Sequence, residues 1–261
     1  MTAPILQLEN VGKHFGGLNV VEGVSFSVRR GCCTGLIGPN GAGKTTIFNL
    51  ITGLFLVDTG RIFLDQVDIT RVPSRHRIRH GVARNFQNIR LMPHLSALEN
   101  VLVGQHCRNV GILGVLQPVN LFSGNHWREE ARAALTDAGL AHYESAAVGR
   151  LPYGIQKRVE LVRALMARPS LLLLDEPAAG LNPAETDALC DHLEAIRGQG
   201  VTLLVVEHDM NFIDALCEEV IVLNFGRKIA EGTPDIIRED PFVREAYFGV
   251  EAQTVVRYHA S

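Results

Sequence analysis

The segment Gly38-Pro39-Asn40-Gly41-Ala42-Gly43-Lys44-Thr45-Thr46 constrains this chain more than any other. It satisfies the spacing G-x-x-x-x-G-K-[ST] at every position. An apolar run over residues 32–37 leads into it, and a helix-like stretch over residues 44–54 follows. A strand feeding a glycine-rich loop that opens a helix commits this region to an α/β arrangement. The glycines let successive backbone N–H groups turn inward on phosphate oxygens, and the helix N-terminus adds its positive dipole end. Lys44 then reaches the β- and γ-phosphates, and the Thr45 hydroxyl is offered to Mg²⁺. Gly38, Asn40, Gly41, Ala42, Gly43 and Thr46 complete the candidate cradle. A glycine-rich turn with a chance lysine is the bland alternative, and the strand and helix flanks weigh against it. The implied ligand is a nucleoside triphosphate.

The chain has 261 residues, enough to bury a sizeable core in one or two domains. Lys and Arg total 25 against 28 Asp and Glu, a net charge of −3, which argues against a large nucleic-acid footprint. The densest basic stretch, residues 71–84, reads as a solvated helix face. Five cysteines, Cys32, Cys33, Cys107, Cys190 and Cys217, are odd in number and lack C-x-x-C spacing. They form neither a disulfide framework nor a zinc site, and they point to a reducing compartment. Residues 1–10 have neither a basic start nor a long apolar stretch, so no signal peptide is expected. The longest apolar runs are strand-sized, well short of the about 20 residues a membrane helix needs.

Short strands are expected around residues 5–8, 24–28, 62–64 and 82–86. Ser96-Ala97-Leu98-Glu99 is a capping box that opens a helix through about residue 107. A connection over 111–125 and a helix over 127–138 complete a helical insertion. Beyond it, apolar strands at 171–175, 201–206 and 220–223 alternate with helices. One helix starts at Asn182 as N-cap, with Pro183 first and Glu185 third, and another opens at Thr233-Pro234. Strands joined by helical crossovers make a mainly parallel sheet.

Leu171-Leu172-Leu173-Leu174-Asp175-Glu176 is the second strong signal. A buried strand ending abruptly in two acids delivers them to a site. Asp175 can hold a metal, directly or through water, and Glu176 can orient or deprotonate an attacking water. The strand over 201–206 ends in Glu207-His208-Asp209, where His208 is either a γ-phosphate contact or an ordinary surface residue. Gln87 ends the strand over 82–86, where it can touch the metal or attacking water. Taken alone, it is a polar strand end.

This order of parts resembles the ABC transporter ATPases, over residues 5–249. The resemblance implies an α/β fold: a P-loop ATPase core with a mainly parallel sheet, an N-terminal antiparallel β subdomain and a helical insertion. It implies ATP and Mg²⁺ as ligands and ATP hydrolysis as the activity. Gln87 is then the Q-loop residue and a metal contact, Asp175 the Walker B acid, Glu176 the catalytic base and His208 the switch histidine. Ala179-Gly180-Leu181-Asn182 matches the D-loop, and Phe15 falls where a ring stacks on adenine. The domain boundaries that follow are 1–88 with 164–240 for the nucleotide-binding core and 89–163 for the helical subdomain. Residues 241–249 form a C-terminal helix, and 250–261 a tail.

The family's signature, Leu-Ser-Gly-Gly-Gln, here reads Leu151-Pro152-Tyr153-Gly154-Ile155. In the family this helix start faces the γ-phosphate held by the other subunit, which assigns Tyr153 and Gly154 to the nucleotide. Pro152 removes a hydroxyl and an N–H, and Ile155 replaces the glutamine. The composite site that uses this chain's phosphate loop and the partner's signature is therefore expected to hydrolyse faster than its counterpart. Tyr153-Gly154, Arg158-Val159-Glu160-Leu161-Val162-Arg163-Ala164-Leu165 and Arg84-Asn85-Phe86-Gln87 resemble the larger ATPase subunit of branched-chain amino acid importers.

That resemblance implies a second ATPase subunit (a heterodimer in preference to a homodimer), two transmembrane permease subunits and, indirectly, a solute-binding protein. No nucleic acid is expected. The implied location is peripheral, on the cytoplasmic face of the inner or plasma membrane. One cassette without heptads argues against ABC ATPases of the ribosome or DNA. An ATPase driving lipid or polysaccharide export is the remaining alternative.

Overall fold

The computed structural model describes residues 3–85, 89–105 and 123–248. The chain divides into two compact units, residues 1–71 with 204–261, and residues 72–203. The first unit opens with β1 (Leu6–Phe15) and β2 (Leu18–Val28), then β3 (Cys33–Ile37) and α1 (Lys44–Ile51). β4 (Thr59–Leu64) and β5 (Val67–Asp68) follow. β1 pairs antiparallel with both β2 and β4, and the order β2-β1-β4-β5 is the expected antiparallel subdomain. Alternation along β1 buries Leu6 and Leu8 on one face, and an irregularity at Asn10 (φ +48°) shifts the register before Val11 is buried in turn. Helix α1 stops at Ile51, three residues short of the expected 54. Thr52 takes the C-cap, with its hydroxyl donating to the Phe48 carbonyl at 2.8 Å.

The second unit holds α2 (Ser74–Arg77), β6 (Val82–Asn85), α3 (Ala97–Gln105), α4 (Ser123–Asp137) and α5 (Tyr153–Leu165). β7 (Leu171–Asp175) and α6 (Pro183–Gly198) complete it. The capping box at Ser96 is formed: the Ser96 N–H donates to Glu99 Oε2 at 2.8 Å, and the Glu99 N–H to Ser96 Oγ at 3.2 Å. Ala97, Val101, Ala131, Leu135, Val159 and Val162 build the apolar core of this helical region. β6 and β7 run parallel, with Arg84 opposite Leu173 and Asn85 opposite Leu174.

One reading of this stretch is corrected. The basic segment over 71–84 is a solvated helix face only in part: Arg71, Arg75 and Arg79 are exposed about a short helical run, but Arg77 is 1% exposed. Arg77 Nε donates to the Val72 carbonyl at 2.9 Å, and burial lowers its pKa to about 10, so it remains a cation. Arg84 is also buried, in an ion pair.

β8 (Thr202–Val206) leads back to the first unit, which adds α7 (Met210–Leu216), β9 (Glu219–Asn224) and β10 (Arg227–Gly232). Helices α8 (Pro234–Glu239) and α9 (Pro241–Phe248) close the described chain. β9 runs parallel to β3 and antiparallel to β10. β3, β7 and β8 are buried at every position, as strands covered on both faces should be. Cys33 and Cys217 lie with their sulfurs 3.4 Å apart as buried thiols. Cys107, residues 111–122 of the expected 111–125 connection and the tail over 250–261 fall outside the described residues, whereas residues 123–125 belong to α4, which starts four residues before the expected 127. Among the described residues, no helix is long and apolar enough to cross a membrane.

Candidate nucleotide site

The phosphate loop grows directly out of buried β3. Gly38 has φ +152°, and a Cβ there would stand 2.2 Å from the Leu223 carbonyl oxygen, so the strand end admits no side chain. Gly43 caps α1 with φ +101°, in the left-handed region, which brings the chain into the helix with its first N–H groups turned toward the loop. The Ala42 N–H donates to the Pro39 carbonyl at 3.1 Å, which closes the turn between them. Lys44 Nζ folds across the same loop, donating to the carbonyls of Gly38 at 2.5 Å and Pro39 at 3.1 Å. Thr45 is exposed in the first helical turn and Thr46 is half-buried behind it. Asn40 and Gly41 are exposed on the loop's crest.

The β9–β10 turn supports this loop, a role the sequence reading missed. The Gly226 N–H donates to the Ala42 carbonyl at 3.1 Å, and the Gly226 carbonyl accepts from the Glu22 N–H at 2.8 Å. A Cβ at Gly226 would meet the Val20 carbonyl at 2.5 Å. The available signal was Asn224-Phe225-Gly226 between two strand-like runs, a hairpin turn by composition. A cavity of about 720 Å³ beside the loop is lined by Pro39, Asn40, Phe225 and Phe242.

Phe15 ends β1 with 42% of its surface exposed, its ring edge-on to Phe55 at 5.1 Å between centroids. Lys13 Nζ lies 5.3 Å from the Phe15 centroid, held by Asp58 at 2.8 Å. His208 follows β8 with its side chain 67% exposed. Its N–H donates to Glu207 Oε2 at 3.1 Å, while Asp209 caps α7 through the Asn211 N–H at 2.9 Å. The histidine is thereby set in a fixed turn, its exposed ring placing Nδ1 3.7 Å from the buried Glu207 Oε2.

In the second unit, β7 delivers Asp175 in a buried position, where Arg84 Nη2 meets its Oδ2 at 2.5 Å. The parallel register explains the pair. Arg84 stands opposite Leu173, and residues 173 and 175 share one face of β7. Glu176 turns out of the strand with φ +48°, an uncommon conformation for a residue with a side chain. The turn continues through an Ala179 N–H bond to the Glu176 carbonyl at 3.2 Å and ends at Asn182. Asn182 and Glu185 form the expected reciprocal cap, with both bonds at 3.0 Å. Gln87 lies outside the described residues.

The signature segment opens α5. Pro152 is the N-cap in an extended conformation, where a missing N–H costs the helix nothing. Tyr153 is largely exposed and Gly154 is buried, because a Cβ there would stand 2.6 Å from Glu185 Oε1. Ile155 packs on the helical core, so its apolar character follows from where it points. One turn later, Glu160 is buried and accepts from the Arg90 N–H at 2.8 Å, while Arg163 donates to the Arg90 carbonyl at 2.6 Å. Burial raises the Glu160 pKa, and the Arg90 N–H and the Arg163 charge oppose that shift. These two residues anchor the chain just after position 88 to α5. Sequence alone marked them only by likeness to a subgroup.

A phosphate loop leading into a helix, an acid-tipped buried strand and an antiparallel β subdomain define a P-loop ATPase cassette. The model of the family described as "ABC transporter" matches residues 21–179, and that of the "Branched-chain amino acid ATP-binding cassette transporter" matches residues 227–253. The high-affinity branched-chain amino acid transport ATP-binding protein BraF of Pseudomonas aeruginosa is 42% identical, over 95% of this chain and 99% of its own length. The corresponding LivG protein of Salmonella typhimurium is 38% identical over the same shares. The crystal structure of the ADP conformation of MJ1267, an ATP-binding cassette of an ABC transporter, superposes with a TM-score of 0.85 at 33% identity, over 95% of this chain and all of that one. The chain belongs to the ABC transporter family, among its branched-chain amino acid ATP-binding cassettes. It is an ABC-type ATPase.

Proposed function

We propose that this chain powers a membrane importer of branched-chain or related amino acids, as one of two ATPase subunits docked on two permease subunits. It sits peripherally at the cytoplasmic face of the membrane, and the solute reaches the permeases through a binding protein. One observation carries the reading: a built phosphate loop lies in a chain matched along nearly its whole length by branched-chain transport ATP-binding proteins. That match favours import over lipid or polysaccharide export.

The residue roles follow from their chemistry. The loop N–H groups of residues 38–46 and the Lys44 ammonium bind the phosphates of ATP, and Phe15 stacks on its adenine. Thr45, Asp175 and Gln87 supply oxygen donors suited to Mg²⁺. Among the described residues no three His, Cys, Asp or Glu side chains gather into a metal cluster. A cation held by few protein oxygens and by nucleotide phosphates fits that sparse donor set. When bound, Mg²⁺ neutralises charge that develops on the phosphate oxygens.

Glu176 orients the attacking water and accepts its proton, and His208 hydrogen-bonds the γ-phosphate. Tyr153 and Gly154, at the start of α5, meet the γ-phosphate bound by the partner subunit, so two ATP molecules close the pair. Loss of that bridging group on hydrolysis lets the subunits part, and the rigid-body motion passes to the permeases.

The test is uptake of radiolabelled leucine by cells lacking the gene and supplied with the wild-type chain or Lys44→Ala. Wild type should restore uptake and Lys44→Ala should leave it at background. Leucine, isoleucine and valine uptake that is unchanged by loss of the chain would overturn the import reading.

A further inference from the structure

The turn that carries Glu176 is held by a buried cation from another element. Lys157, in the middle of α5, is 6% exposed. Its Nζ donates to the carbonyls of Pro177 at 2.9 Å and Ala179 at 2.6 Å, and to that of Glu176 at 3.3 Å. An ammonium brings three donors and no acceptor, and burying it is costly unless oxygens meet those donors. Here the oxygens belong to one backbone turn, residues 176–179.

That turn needs holding. Glu176 sits at φ +48° without being glycine, a conformation that persists only where the surroundings fix it. Tyr153, one helical turn before Lys157, lays its ring 5.3 Å from Nζ, and a Cβ at Gly180 would stand 3.2 Å from its Cε1. One face of α5 thus grips residues 176–180 from end to end. The Glu176 carboxylate is aimed by its backbone, and that backbone is hydrogen-bonded to the helix whose first turn is the signature.

We infer that Lys157 is a positioning residue for the catalytic turn: it fixes the Glu176 backbone to α5 and makes signature helix and catalytic base move as one body. The inference rests on the proposed roles of Glu176 and of the α5 start. It adds a direction of coupling, in which engagement of Tyr153 and Gly154 by one nucleotide registers at the Glu176 that serves the other. A rigid helix with a charge-assisted anchor transmits such a shift without large motion.

The experiment compares Lys157→Met, Lys157→Arg and Glu176→Gln with wild type in the assembled transporter, with thermal melts of each. Methionine keeps the apolar stem and removes charge and donors. It is expected to lower kcat about tenfold to a hundredfold, the scale for small misplacement of a reacting group, with the KM for ATP within about twofold. Arginine keeps the charge in a fork that cannot follow the same carbonyls, and should give an intermediate kcat. Amide exchange at Ala179 should quicken in Lys157→Met while β7 keeps its protection.

Unchanged kcat in Lys157→Met, or a loss confined to KM, overturns the inference. If Lys157→Met does not fold, Lys157→Arg decides alone: a kcat about threefold or more below wild type at unchanged KM supports it, and a wild-type kcat overturns it. Glu176→Gln separates the layers. Full turnover there defeats the assignment of the base, whereas an inactive Glu176→Gln beside a fully active Lys157→Met defeats only the positioning role.

Discussion

Asp175 is a buried acid that depends on a partner. Its carboxylate is buried at the end of a strand of leucines, a setting in which a lone charge is strongly disfavoured. Arg84 answers it from the neighbouring parallel strand, and both side chains are almost wholly withdrawn from water. Removing one partner of such a pair strands the other, so Arg84→Met should cost about 3–5 kcal/mol of unfolding free energy. Urea unfolding checks this, and the double change Arg84→Met with Asp175→Asn should recover most of the loss. A single Arg84→Met as stable as wild type would mean that the pair contributes nothing. Asp175 was legible as the tip of a buried strand, but Arg84 was not legible as its buried partner. Arg84 stood in the densest basic stretch of the sequence, and charge density reads as solvent exposure unless strand register is known. Lys157 was hidden for a related reason, because its partners are backbone carbonyls of a turn and no residue identity encodes them.

At the scale of elements, helix α6 joins the turn after Glu176 to a titratable group. His192 lies on α6 with its imidazole held in the neutral form, its pKa lowered to about 4 by burial and then by the nearby Arg158 charge. The unfolded chain takes up that proton near pH 6.5 and the folded one only near 4, so the unfolded state binds more protons between those values. Stability from this group is therefore complete above about pH 6.5 and declines as pH falls toward 4. The full span is worth up to about 3 kcal/mol. His192→Gln should flatten the unfolding free energy between pH 6.5 and 4 relative to wild type, and an unchanged slope would remove His192 as its source.

Elements punctuated by strong local signals were legible. The strands over 171–175 and 201–206, the Asn182–Glu185 cap and the Ser96–Glu99 box all stand where residue pattern put them. β10 and β5 were missed because they are short, largely polar edge pieces whose pairing comes from a hairpin turn. The β9–β10 turn mattered most, since its Gly226 supports the phosphate loop.

As a whole molecule the chain is an ABC-type ATPase whose proposed contribution to a pair of sites is a complete phosphate loop, an acid pair and an altered signature. The structure explains two of the signature changes locally: Pro152 fits an N-cap, and Ile155 packs on the helical core. Neither restores the hydroxyl and amide that the family pattern brings to a partner's nucleotide. In a heterodimer the site built on this chain's own loop should therefore carry most of the turnover. The most direct measurement is transport-coupled ATP hydrolysis by the assembled complex with Glu176→Gln in this chain, set beside the matching change in its partner. A general base is worth about a hundredfold or more, so Glu176→Gln here should remove nearly all turnover, and the partner's change should leave a substantial fraction. Turnover near wild type with Glu176→Gln in this chain, and none with the partner's change, would contradict the account.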